Sequence, residues 1–164
     1  MTILLADTDC LIKLTKAGLK EVVVNNFKVF IPPKVKEESI DHAYGKPDAL
    51  IIEKNIADQK IKVQKTIASN VAIEPEIHQL ELLGGEQDVY RLSTQIKYNL
   101  ISSDDQKFLK IMHLLNKKAV TPASLIILLY KQKKIKSEEA QKMLGCLKPY
   151  VSREEYELSY QEVD

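Results

Sequence analysis

The chain has 164 residues, a length that suits one domain. Its 45 % hydrophobic and 29 % charged residues are enough to bury a core, which excludes a disordered or fibrous chain. The 24 basic and 23 acidic residues leave a net charge of +1, so no global field draws the protein to nucleic acid or membrane, and any such attraction is local.

Short apolar runs alternate with longer amphipathic ones, the pattern of an α/β protein. Thr2 to Ala6 (TILLA) reads as a strand buried on both faces, ended by Asp7. Cys10, Leu11 and Leu14 fall at helical spacing, and Gly18 can close that helix in a left-handed conformation. Leu19 to Val24 reads as a further short helical piece. Phe27 to Ile31 is β-prone, and Pro32-Pro33 stops it and opens a helix through Val35, Glu38 and Ile40. Pro47 begins another helix, with Ala49, Ile52 and Ile56 on its apolar face. Lys60 to Ala72 stays open, since its alternating Ile61 and Val63 are compatible with one strand or an edge strand. Gly84-Gly85 precedes a helix with the stripe Val89, Leu92 and Ile96. Asn99 to Ser102 reads as a strand, followed by a helix with Phe108, Ile111 and Leu115; Lys118 to Val120 reads as the last strand. Thr121-Pro122 opens a strongly apolar helix, Leu125 to Tyr130. In the tail, Ser137 is placed to cap one helix, and Ser152 with Glu155 forms a capping-box pattern for another. The expected architecture is a parallel central sheet with helices on both faces plus a C-terminal helical extension. One domain covers 1–164, with its core over about 1–134 and the tail over about 135–164.

The two cysteines, Cys10 and Cys146, form no CxxC pair, which argues for a reducing, cytoplasmic setting. Ala119 to Tyr130, the longest uncharged run in the C-terminal part, is too short to span a bilayer. Asp7 comes before any signal-peptide core can form.

The acidic residues carry the chemistry. In open α/β sheets, ligands bind at the carboxyl ends of the strands. Asp7 ends the first strand, and Asp104 and Asp105 follow the strand Asn99 to Ser102. Glu38 lies one turn into the helix after Pro33, and Glu86 and Asp88 lie in the first turn after Gly84-Gly85. Each has a structural reading as well. Glu86, Asp88 and Asp105 suit a helix dipole, Asp7 and Asp9 suit N-caps, and Glu37 and Glu38 can face water. Gathered within about 5 Å, however, carboxylates repel by roughly 3 kcal/mol per pair at an effective dielectric near 20. The natural counter-charge is Mg²⁺ or Mn²⁺, hard ions that prefer oxygen ligands. Such ions activate water for attack on a phosphodiester, which is nuclease chemistry.

In this pattern the sequence resembles the PIN-domain ribonucleases of prokaryotes, including the VapC-type toxins of toxin–antitoxin pairs. Leu5-Ala6-Asp7-Thr8-Asp9-Cys10-Leu11-Ile12 resembles the family's opening motif, and Ile31-Pro32-Pro33-Lys34-Val35-Lys36-Glu37-Glu38 its second. Gly85-Glu86-Gln87-Asp88 and Ile101-Ser102-Ser103-Asp104-Asp105-Gln106-Lys107-Phe108 resemble the third and fourth. Asp9 stands where the family often has Asn or Ser, and the tail is longer than in many small toxins. The resemblance implies RNA phosphodiester hydrolysis with Mg²⁺ or Mn²⁺ held by Asp7, Glu38, Asp88 and Asp105. Glu86 and Asp104 are further candidates, and Thr8 and Ser103 would orient carboxylates or water. It further implies an RNA substrate, homodimers and, for toxin members, an inhibiting antitoxin.

Lys13 and Lys16 beside the first motif, Lys107 beside the fourth and Arg91 a turn after Asp88 are candidates for RNA contact, against the plainer reading of a solvated face or, for Arg91, pairing with an acid. Two other functions compete. A haloacid dehalogenase-like phosphatase would use Asp7 as nucleophile, but it leaves Glu38 and Glu86-Gln87-Asp88 unexplained and meets Leu11 where that family usually has Thr or Val. A non-catalytic PIN-like module for RNA or protein association is the other, and the filling of all four acid positions argues against it.

Overall fold

Leu4 and Leu5 are consecutive in the first strand, and both are 0 % exposed. Successive strand residues face opposite sides, so helices cover both faces of the sheet around them. The computed structural model describes residues 1–67 and 72–163. Its parallel strands are β1 (Thr2–Ala6), β2 (Phe27–Ile31), β3 (Ile61–Val63), β4 (Leu100–Ser102) and β5 (Ala119–Val120). They lie in the order β3-β2-β1-β4-β5, so the chain winds outward from β1 to β3 and then resumes on the other side of β1. That reversal leaves a crevice past the carboxyl ends of β1 and β4. The register aligns Leu5 with Ile101 and Ala6 with Ser102, which brings the segments after the two strands side by side.

Among the helices before β4, α1 is Thr8–Lys16, α2 Lys20–Asn26, α3 Pro33–Lys36, α4 Pro47–Ala57, α5 Glu74–Gln79 and α6 Gly84–Gln95. Gly18 joins α1 to α2 at φ +72°, a left-handed conformation that glycine adopts without strain. The helix expected through Glu38 is interrupted, because α3 passes into a π-helical turn over Glu37–Asp41. The open stretch Lys60 to Ala72 contains β3, at the edge of the sheet, while its residues 68–71 lie outside those described. Helix α5 is not anticipated by the periodicity. Ile77 is its one buried side chain, so it presents no apolar stripe.

After β4 come α7 (Gln106–Leu114), α8 (Pro122–Lys131), α9 (Ser137–Leu147) and α10 (Arg153–Gln161). The apolar helix α8 buries Leu125, Ile126 and Leu129, and α9 and α10 pack against it and against each other. Ser137 is the first residue of α9, and Lys136 holds the cap position expected for it. At α10, Ser152 Oγ accepts from the Glu155 N–H at 3.1 Å, as a capping box requires. The Glu155 carboxylate is used elsewhere: its Oε1 accepts from the Ala123 N–H at the start of α8, at 3.1 Å. No described helix is long and apolar enough to cross a membrane.

Candidate active site

An open cleft of about 320 Å³ lies past the ends of β1 and β4, lined by Asp7, Thr8, Asp9, Glu38, Leu83, Gly84, Gly85 and Glu86. Larger hollows exist elsewhere, but size does not select a site. In the 910 Å³ groove beside α5, Glu74 is paired with Arg91 and Glu81 with Lys107, so their charges are already met. The 440 Å³ hollow between α1 and α4 holds Glu21, paired with Lys20 and Lys60.

Asp7 caps α1, with Oδ1 accepting from the Cys10 N–H at 2.8 Å. A capping role alone does not call for burial, yet Asp7 is only 4 % exposed. Burial above all drives its carboxyl up from 3.8 to about 7; hydrogen bonds from Ser103 and the Cys10 N–H oppose the rise, and Asp9 and Glu86 add to it. Ser103 is itself buried, and its hydroxyl also accepts from the Asp105 N–H at 3.1 Å. It thus ties Asp7 to Asp105 across the two strand ends. Asp105 is exposed and caps α7, accepting from the Phe108 N–H at 2.7 Å. The capping reading of Asp7 therefore holds, and Asp105, read from the sequence as a dipole partner, is a cap as well; in each case one carboxylate oxygen makes the cap.

Glu38 projects from the π-helical turn, a local widening of the kind found frequently at functional sites. The Thr8 hydroxyl donates to its Oε2 at 2.6 Å, and the Gly85 N–H donates to its Oε1 at 3.0 Å. The lack of a side chain at Gly85 leaves room for this placement of Glu38. A Cβ on Gly85 would lie 2.6 Å from Glu38 Oε2 and 2.9 Å from Thr8 Oγ1. Glu86, half-buried, faces the other acids: burial first, then Asp105, Asp9 and Glu38, raise it from 4.5 to about 7, with Lys107 opposing. The N-termini of α1, α6 and α7 all open on this crevice, and their positive dipole ends partly offset the crowded carboxylates.

The structure thus brings Asp7, Asp9, Glu38 and Glu86 to one cleft, with Asp105 beside it, linked through Ser103 and near enough for its charge to act on Glu86. Asp88 does not line the cleft and accepts from the Arg91 guanidinium at 2.5 Å. Arg91 also donates to both oxygens of Glu74, at 2.7 Å each, and so has its charge met within the protein. Asp104 forms an ion pair with Lys13. Lys16 is exposed at the far end of α1, and Lys107 pairs with Glu81 at 3.1 Å. Asp9, a candidate N-cap in the sequence, is not the cap: Asp7 holds that position, and Asp9 lies in the first turn of α1 and lines the cleft.

Among the described residues, no three His, Cys, Asp or Glu side chains stand close enough as placed to hold a metal ion. The donor chemistry nevertheless fits a hard divalent cation. Every candidate ligand is an oxygen, and the carboxylates raise one another's proton affinity.

A family model described as a PIN domain (DUF3368) matches residues 3–164. The chain belongs to the PIN-domain family. No curated protein and no solved structure matches it. PIN domains are in general nucleases that use divalent metals, and the parallel sheet of this PIN domain, with acids past β1 and β4, agrees with that class. The match extends through α9 and α10.

Proposed function

We propose that this PIN domain is a Mg²⁺- or Mn²⁺-dependent endoribonuclease that hydrolyses RNA phosphodiesters in the acidic cleft. The observation that carries the reading is Asp7, a carboxylate buried at a strand end and crowded by other acids. Such an arrangement stores unfavourable charge that a bound cation relieves. Asp7, Glu38 and Asp105 are the proposed ligands, direct or through water, with Glu86 taking the place that the motif gives to Asp88. Asp88 is instead engaged by Arg91, one turn on along α6. When bound, the ion supplies charge stabilisation for the phosphate and an activated water for in-line displacement.

The chain's own residues set the geometry. Thr8 and the Gly85 N–H fix both oxygens of Glu38, and Ser103 fixes Asp7 relative to Asp105. Lys107, whose charge acts on Glu86, and the exposed Lys16 on α1 are the proposed contacts for the RNA backbone, while Lys13 is engaged by Asp104. A cytoplasmic setting, a homodimer and control by an antitoxin belong to the same reading, supported by the resemblance to VapC-type toxins. A phosphatase using Asp7 as nucleophile finds no support, since the chain belongs to the PIN family.

Incubation of the purified protein with a mixed pool of labelled RNAs tests the reading. Cleavage is expected with millimolar Mn²⁺ and none with EDTA. Mn²⁺ is also expected to raise Tm, because a ligand that binds only the native state stabilises it. Glu86→Gln is expected to impair cleavage more than Asp88→Asn. An uncut pool together with an unchanged melt would remove the nuclease assignment.

A further inference from the structure

Glu155 lies on α10, in the C-terminal extension, yet it is only 9 % exposed. Its carboxylate accepts from the Ala123 N–H at 3.1 Å and hydrogen-bonds Thr121 and Asp104. Asp104 in turn holds Lys13 of α1. A continuous polar chain thus runs from α10 through the segment after β4 to the helix that follows Asp7. Along that segment the side chains divide: Ser103 and Asp105 serve the cleft, while Asp104 turns to Lys13 and Glu155.

Helix capping explains only part of the placement of Glu155: its Oε1 takes the otherwise unpartnered Ala123 N–H in the first turn of α8, but that leaves its contact with Asp104 unaccounted for. Thr121 already caps α8, accepting from the Ser124 N–H at 3.2 Å. Burying one carboxylate against another is costly, and breaking such an arrangement costs more than replacing it with a neutral packed residue. The N-terminus of α8 favours a carboxylate at Glu155, but it does not favour a second carboxylate, Asp104, set against it. The contact gains a purpose from where Asp104 sits, next in the chain to Asp105, with Lys13 as the shared cation.

We propose that Glu155 is a positioning residue of the active site, holding Asp104 and Lys13 so that Asp105 is aimed into the cleft. The inference rests on the nuclease reading and adds to it a working role for the C-terminal extension. The acids of the cleft come from distant parts of the chain, and α10 is the element that braces the last of them. Small misplacements of a catalytic group have large kinetic consequences, on the order of a hundredfold for 1 Å.

The full-length protein, its Glu155→Ala and Glu155→Gln variants, and Val163→Ala are compared for RNA cleavage with Mn²⁺ and for the Mn²⁺ dependence of Tm. Val163 is buried in the same tail and has no part in these hydrogen bonds and ion pairs as described, so its truncation controls for loosened packing. Glu155→Ala is expected to lower kcat on the order of tenfold to a hundredfold with KM nearly unchanged, and to require several-fold more Mn²⁺ for the same rise in Tm. Glu155→Gln keeps an acceptor for Ala123 and a hydrogen bond to Asp104, and is expected to restore most of kcat. Val163→Ala is expected to lower Tm and leave kcat and the Mn²⁺ response as in wild type. Wild-type kcat and Mn²⁺ response in Glu155→Ala, or losses in Val163→Ala matching those in Glu155→Ala, would overturn the positioning role while leaving the nuclease reading intact. A wild-type protein that cuts no RNA would overturn both.

Discussion

Replacing Asp7 by Asn is expected to reduce metal-dependent RNA cleavage by on the order of a thousandfold and, in EDTA at pH 8, to make the protein more stable. The two effects share one cause. The Asp7 carboxyl climbs from 3.8 to about 7 because it is buried, so the folded state holds its proton more tightly than the unfolded chain does. Its contribution to stability is therefore complete below about pH 4 and is lost as the pH rises through about 7. That climb corresponds to on the order of 4 kcal/mol, an upper figure for what the Asn variant gains at pH 8. Asn keeps the acceptor for the Cys10 N–H and the shape of the site, but not the buried charge. Glu86, also raised to about 7 but only half-buried, acts in the same direction, so the variant retains a weaker slope. Melts in EDTA at pH 5 and pH 8 check this. Wild type is expected to lose more stability than Asp7→Asn between the two, and parallel losses would contradict it.

Gly85→Ala is expected to separate activity from stability. The new methyl group would meet Glu38 Oε2 at 2.6 Å, Thr8 Oγ1 at 2.9 Å and Val35 Cγ2 at 3.1 Å. The nearest of these is the end of a flexible side chain, which can move away. Alanine's better helix propensity, about 1 kcal/mol over glycine, offsets much of the remaining crowding. Tm is expected to shift by only a few degrees. Glu38, however, must give up its hold on Thr8 or on the Gly85 N–H, and cleavage is expected to fall on the order of tenfold to a hundredfold. Gly84→Ala is a poorer probe, because Gly84 sits at φ +53° and strain there mixes with displacement of Glu38. Steady-state cleavage beside thermal melts reads the result. Undiminished cleavage would show that the Glu38 placement is irrelevant to turnover.

Much of the fold is legible in the sequence because its signals are local. The run TILLA, the prolines at 32, 33, 47 and 122, and the apolar stripes of α1, α4, α6 and α8 each act within a few residues. The site is less legible, because its details depend on contacts between distant residues. Glu86 and Asp88 are two positions apart on one helix turn and so point to different sides, and only the packing of α6 decides which one faces the cleft. Arg91, three residues beyond Asp88, carried a local hint, since i,i+3 pairs of opposite charge meet on a helix. No local rule reveals the Lys13 to Asp104 pair, 91 positions apart, or the diversion of Glu155 from its own helix to α8. The capping-box pattern gave Glu155 a sufficient explanation within α10 and concealed its long-range one.

Soaking crystals in Mn²⁺ and recording anomalous scattering above the manganese edge shows directly whether the gathered acids serve a cation. A peak is expected in the cleft between Asp7, Asp105 and Glu86, with their carboxylates drawn inward and Glu38 still held by Thr8. Crystals whose anomalous map is empty there at millimolar Mn²⁺, or shows manganese only at surface acids, would contradict it.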